Sequence, residues 1–482
     1  MLGPHARAGG AGARGGRADL TSIAAAVAAF GEVVGREHVL TDPEVVASYV
    51  VDWTGRFRGR TDAVVRPAGV QEVAGVVALC RDREIALTVQ GGNTGLVGGS
   101  VPLAGEIVLS LTRLSSLDEL DPVAGQVTAG CGATVGSLQR AAQAAGWAYG
   151  VDLASRDSAT VGGTIATNAG GLRVLRYGDT RAQMLGVEAV LGDGSVISHL
   201  GGLWKDNTGY DLSGLLCGSE GTLGVVTSAR LALVPPAAER AVALLAFDDV
   251  DEAVVAASGL RRWRGVLEAV ELFFGAGMSL VCSQFGLQSP FPDAPAHFEG
   301  TYAAYVLIEA AGTEDPTDAL AAIADSLTGV RNVALASSGV RRAALWRYRE
   351  AHTEAIARIG IAHKLDVAVP LSRLGELVSR VASVVSGVAP DAVTWLFGHA
   401  ADGNLHVNIT GVDPSDETVD GAVLELVSSL GGSISAEHGI GVAKRRWLEL
   451  NRSSSEIAAM RAVKRALDPA GILSPNVLVR LP

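Results

Sequence analysis

Three glycine-dense stretches in the first half of the chain constrain its fold more than any other feature. They are "VQGGNTGLVGGS" (89–100), "DSATVGGTIATNAGGLRVLRYGDTR" (157–181) and "KDNTGYDLSGLLCGSEGTLGVVT" (205–227). Glycine weakens the interior of helices and strands, so loops this rich signal backbone brought close to something else. Bare N–H groups in such turns can cradle a pyrophosphate, because no Cβ blocks its approach. None of the three is a G-x-G-x-x-G opening a helix after a first strand, so the usual dinucleotide fingerprint is absent. One loop of this kind is as readily a plain turn. Three, interleaved with Ser, Thr and Asn donors, point to a large phosphate-bearing ligand.

The segments around these loops read as short strands alternating with helices. "QEVAGVVALCRDR" (71–83) places Val73, Val76, Val77 and Cys80 on one helical face. "ALTVQGG" reads as a strand running into glycines, and "QVTAGCG" with "TVGSLQRAAQAAG" as a strand–helix pair. "VEAVLGDGSVISH" reads as a hairpin whose Gly-Asp-Gly suits a positive-φ turn. Pro-Pro in "LALVPPAAER" (231–240) marks a boundary, beyond which glycine clusters thin and longer helical patterns alternate with single strands. The expected division is a disordered tail at 1–20, a first domain at 21–236 and a second at 237–482. The length of 482 residues suits more than one core.

A net charge of -12 argues against a nucleic-acid footprint, and no apolar run approaches the length of a membrane span. Cys80, Cys131, Cys217 and Cys282 lie far apart with no C-x-x-C, which suggests buried thiols in a reducing compartment such as the cytoplasm.

The second domain carries an unusual hairpin, "WLFGHAADGNLHVNI" (395–409), in a chain with only nine histidines. An Asp-Gly turn between two apolar runs would fold His406 back opposite His399. Alternation then puts Asn408 on the face of His406. "SISAEHGIG" (433–441) adds Glu437 and His438 beside glycines. Two imidazoles and one carboxylate would leave coordination positions open, as in a catalytic metal site. Imidazole favours Zn²⁺, with Mn²⁺, Co²⁺ and Fe²⁺ open, and the spacing alone also fits unrelated residues. Upstream, "SGVRRAALWRYREAHTEAIARIG" (338–360) reads as a helix with Arg349 and Thr353 on one face, followed by Lys364 in the strand "HKLDVAVP". These groups could clamp a carboxylate, Arg as a fork and Lys as a point charge, although a solvated helix face fits the same spacing.

The three glycine loops resemble the FAD-binding domain of the vanillyl-alcohol oxidase/p-cresol methylhydroxylase superfamily. "QGGNTGLVGGSVP", "GGTIATNAGGLRVLRYG" and "DNTGYDLSGLLCGSEGTLG" are most similar to its D-2-hydroxyglutarate dehydrogenase branch and the D-lactate and glycolate relatives. The resemblance runs from about residue 25 to the closing "DPAGILSPN". It implies an α+β fold: a p-cresol methylhydroxylase-type FAD-binding domain beside an α+β cap with an antiparallel sheet, the active site between them. It assigns FAD contacts to Gly91, Gly92, Asn93, Thr94, Gly95, Gly98, Gly99 and Ser100 in the first loop. In the second these are Ser158, Gly162, Gly163, Thr167, Asn168, Gly170 and Gly171, and in the third Glu220, Gly221 and Gly224. The first loop lacks the His or Cys through which some members tether flavin, so the FAD is expected to be non-covalent.

"GHAADGNLHVN" and "AEHGIG" look like the family's GHxGDGNLH and EHGxG elements, with His399, His406 and Glu437 as the implied metal ligands. Ala401 stands where glycine is usual, and positive φ there would cost about 1–2 kcal/mol. Arg349, Thr353 and Lys364 fall at the implied contacts to a substrate carboxylate, with Asn408 orienting the substrate and His438 as general base or substrate contact. The implied reaction is oxidation of a D-2-hydroxy acid, D-2-hydroxyglutarate before D-lactate or glycolate. A flavin-binding subunit without catalysis is the reading from another class, disfavoured because every implied ligand and cation is kept. Implied partners are an electron-transfer flavoprotein, quinone or cytochrome as acceptor, with a homodimer left open.

Overall fold

A computed structural model describes residues 20–291 and 302–481. The tail expected at 1–20 therefore lies, apart from Leu20, outside the described residues. Three sheets carry the architecture. The first orders Val39–Leu40, Val64–Val65, Ile107–Ser110 and Leu87–Gln90, parallel except for the edge pair Val39–Leu40 with Val64–Val65. The second is antiparallel, in the order Gln126–Gly130, Val225–Ala232, Met184–Val190 and Val196–Ser198. The third is an antiparallel sheet of seven strands: Val330–Ala336, Glu239–Phe247, Ala304–Gly312, Leu267–Phe274, Val393–His399, Asn404–Thr410 and His363–Ala368.

Local sequence explains most elements. The helix Val70–Asp82 buries the stripe Val73, Val76, Val77 and Cys80 against the first sheet. Thr134 caps the helix Val135–Ala144 through the Ser137 N–H. The Met184–Val190 and Val196–Ser198 hairpin turns at Gly194, φ +86°. Helices on one side of the seven-stranded sheet bury a core that includes Leu245, Leu272, Val381 and Val423. The other side buries Phe273, Tyr305, Trp346 and Phe397.

The last helix, Ser454–Leu467, and the segment after it return to the first two sheets. Leu473 forms a parallel bridge with Leu87, and the buried Lys464 ammonium donates to Thr222 O, Leu473 O and Asp468. The chain end thus fastens onto the region that carries the glycine loops.

The helix expected across 338–360 is broken. It forms Gly339–Glu350 and His352–Ile359, with Arg349 before the break and Thr353 after it. At the break, fully buried His352 places Nδ1 3.1 Å from the Arg349 carbonyl, the acceptor that residue 353 would use in a continuous helix.

Candidate active site

One cavity of about 480 Å³ lies between the glycine loops and the seven-stranded sheet. Gly91–Gly95, Gly99, Ser100, Gly162, Gly163, Thr167, Gly170, Gly171, Glu220 and Gly221 line one wall. Arg349, Thr353, Lys364, His399, His406, Asn408, Glu437 and His438 line the opposite wall. Four expected cofactor positions fall elsewhere. Ser158 lines a neighbouring cavity. Gly98, at φ +70°, sits under the Phe57 ring, where a Cβ would meet it at 2.8 Å. Asn168 is a left-handed cap, φ 52°, bonded to Asp179 and the Arg181 N–H. Gly224 packs against Leu216 and Leu191.

The glycine wall is built almost wholly from backbone. The first and second loops abut so closely that a Cβ at Gly92 would strike the Ser158 carbonyl, whereas Gly95 faces open space. This cradle fits a long phosphate-bearing ligand such as FAD, for which it offers amides and Thr or Ser hydroxyls. Glu220 also lines it, but its carboxylate turns away to accept the Ile440 and Gly441 N–H groups at 2.9 and 2.7 Å. It straps the third loop to the segment that carries Glu437 and His438.

The opposite wall is built from side chains. His406 pairs across strands with Phe397, not with His399, and Asn408 with Trp395. A 3-10 turn at Ala400–Asp402 lengthens the connection, which moves His399 past the paired residues and beside Glu271 of the next strand. The two imidazoles still meet diagonally, ring centres 5.3 Å apart. Positive φ falls on Gly403, at +74°, while Ala401 is buried in the sheet's core with no such strain.

His399, His406 and Glu437 each offer a ligand atom within 4.8 Å of the others. His399 Nδ1 lies 2.6 Å from Glu271 Oε1, which leaves Nε2 facing Glu437 at 3.4 Å. Burial pushes the Glu437 carboxyl up to about 7. Burial also opposes charge on His399, but the Glu271 and Glu437 carboxylates outweigh it and lift the imidazole to about 9. A buried cluster of two imidazoles and a carboxylate suits a divalent cation, which would relieve the carboxylate's desolvation.

Two acids that sequence reading missed organise this wall. Fully buried Glu271 contacts His399 through one oxygen and pairs with Arg349 Nε through the other, at 2.7 Å. Asp366 Oδ2 accepts the N–H groups of Ala436, Glu437 and His438, and its Oδ1 faces His406 Nδ1 at 3.6 Å. Burial would raise its pKa, but His438, Lys444 and His406 together hold it far below the usual carboxylate range. The available signal was acids interrupting apolar runs, Glu268 and Glu271 in "LEAVELFF" and Asp366 in "HKLDVAVP".

Arg349, 5% exposed, lies over the Phe397 ring at 4.4 Å. Lys364 faces the same cavity, and burial pulls its ammonium down to about 8. Buried Asn408 has no hydrogen-bond partner for Nδ2 among the described residues, which leaves a donor for a ligand.

Residues 236–478 match the family model described as FAD linked oxidases, C-terminal domain, and residues 61–199 match the FAD binding domain. The chain is 38% identical to mitochondrial D-2-hydroxyglutarate dehydrogenase of Bos taurus, covering 91% of this chain and 80% of the relative. It is 36% identical to D-2-hydroxyglutarate dehydrogenase of Xanthomonas citri pv. viticola, covering 91% and 93% respectively. The crystal structure of p-cresol methylhydroxylase with substrate bound superposes with TM-score 0.76 at 17% identity, over 96% of this chain and 98% of that one.

Proposed function

Because the chain belongs to the FAD-linked oxidases of the vanillyl-alcohol oxidase/p-cresol methylhydroxylase superfamily, we propose that it oxidises D-2-hydroxyglutarate to 2-oxoglutarate with non-covalent FAD and a divalent cation, Zn²⁺ by ligand type. The observation that carries this reading is the pair of cations, Arg349 and Lys364, in the cavity that also holds the His–His–Glu cluster. A 2-hydroxy acid with a second carboxylate needs both features at once: a chelating centre for its hydroxy acid end and a cationic pocket for the far end.

Oxidation removes the Cα hydrogen with its electron pair and the hydroxyl hydrogen as a proton. When bound, the flavin supplies the two-electron acceptor at N5 and the cation a Lewis acid for the hydroxyl oxygen. His399, His406 and Glu437 would hold the cation. His438 takes the hydroxyl proton. Burial holds its imidazole below the ordinary histidine value, and thus neutral. Its Nδ1 lies on the Asp366 side at 4.0 Å, so Nε2 is the ring nitrogen available to the cavity. Asn408 Nδ2 donates to the substrate, while Arg349, Thr353 and Lys364 bind the distal carboxylate.

The proposed electron acceptor is an electron-transfer flavoprotein, quinone or cytochrome. Among the described residues no helix is long and apolar enough to cross a membrane. All four cysteines are buried free thiols, which supports a reducing compartment, the cytoplasm in our reading.

Anaerobic addition of D-2-hydroxyglutarate should bleach the flavin band, lose that effect after chelation and regain it with Zn²⁺. Bleaching by D-lactate but not by D-2-hydroxyglutarate would overturn the substrate assignment. Bleaching unaffected by chelation would overturn the metal.

A further inference from the structure

A feature of the cavity wall outside both motif sets is an indole. Trp53 lines the active-site cavity and the neighbouring one, is 54% exposed, and lies over the Lys364 ammonium at 5.4 Å. The turn that carries it is held by several hydrogen bonds. Buried Asp52 accepts the N–H groups of Thr54 and Phe57 at 3.2 and 3.0 Å. Backbone bonds join Asp52 N to Phe57 O and Gly59 N to Val50 O. On one side Phe57 packs on Gly98 of the first glycine loop, and Asn93 Nδ2 donates to Val51 O at 2.8 Å.

On the other side Arg56 reaches the region of the seven-stranded sheet. Its Nε donates to Pro414 O at 2.9 Å, and its Nη2 pairs with Asp420. Asp420 in turn bonds His363, the neighbour of Lys364 on the same strand, at 2.9 Å. The turn bearing Trp53 and the strand bearing Lys364 therefore share one buried anchor. The backbone of that turn cannot move away from the strand without breaking it.

We propose that Trp53 is a specificity-determining residue that caps the distal-carboxylate subsite, holding the Lys364 ammonium against its ring face and closing that end of the cavity to water. A cation held over an indole is directed without being neutralised, so it stays able to pair with an incoming carboxylate. A desolvated subsite strengthens that pairing. A substrate with no second carboxylate gains nothing from either effect. The inference rests on the dicarboxylate reading of Lys364.

The test compares wild type, Trp53→Ala, Trp53→Phe, Lys364→Met and the double variant Trp53→Ala/Lys364→Met as flavin-loaded enzymes. Each is assayed on D-2-hydroxyglutarate and D-lactate, with flavin content and Tm recorded. Wild type should prefer the dicarboxylate; if it does not, the substrate reading fails and the cap with it. Given that preference, Trp53→Ala should raise KM for D-2-hydroxyglutarate about tenfold more than it raises KM for D-lactate. Trp53→Phe should recover most of the loss. In the Lys364→Met background, removing the indole should change KM less than about twofold, since the ring then has no cation to hold. Equal losses on both substrates, or an undiminished effect in the Lys364→Met background, would overturn the cap while leaving the substrate reading intact.

Discussion

The glycine wall and the wall facing it present their polar groups by opposite means. The first offers backbone amides in loops that abut one another, as where Gly92 meets the Ser158 carbonyl. The second offers buried charges that hold each other in place: Glu271 between His399 and Arg349, and Asp366 beneath the Glu437–His438 segment. Such a difference predicts different failures. A backbone cradle is damaged by adding an atom. A charge network is damaged by removing one, because the partner left behind is buried and unpaired.

The largest effect should come from the ligand cluster. His406→Ala or Glu437→Gln should lower kcat by roughly 10²–10³-fold while the protein still purifies yellow. Loss of flavin together with activity would show that the two walls are not separable. Gly92→Ala attacks the other wall. Overpacking of about 1–3 kcal/mol should weaken flavin retention some tenfold to a hundredfold, read by titrating the apoprotein with FAD, with metal binding unchanged by competition with a chelator.

Glu271→Gln keeps the shape of the side chain and removes its charge. Metal affinity should fall about 10–100-fold, and KM for the dicarboxylate should rise as Arg349 loses its counterion. Unchanged metal affinity would reduce Glu271 to a packing role. A gentler probe is pH. Burial lowers Lys364 to about 8, so the group is cationic below that pH and neutral above it. On D-2-hydroxyglutarate, kcat/KM should decline above about pH 8, with kcat less affected because the bound carboxylate holds the proton on. Lys364→Met should abolish that limb.

The smallest effect concerns Ala401. Its backbone does not need glycine, so Ala401→Gly should destabilise the fold by about 0.5–1 kcal/mol instead of relieving strain, visible as a lower Tm.

Much of this was legible in the chain. The Val73–Cys80 stripe, the strand entering "QGGNTG" and the Gly194 hairpin follow from periodicity and turn chemistry, which act over a few residues. His399, His406, Glu437, Arg349, Thr353 and Lys364 were found as residue types in ordered motifs, and one cavity gathers them. Motif reading does not reach contacts that depend on a distant partner. Asn168, Gly98 and Gly224 sit within the motifs, and the structure places them at a helix cap, under the Phe57 ring and against Leu216 and Leu191.

By itself, then, the sequence determined which segments are strands, helices and tight loops, and which side chains have the chemistry of ligands. Those properties are local. Tertiary structure alone decided that His406 lies opposite Phe397, that Glu271 serves His399 across 128 residues, and that Trp53 covers Lys364. Each of these depends on strand register and domain docking, where the energies compared are sums over many long-range contacts and no short window of sequence contains them.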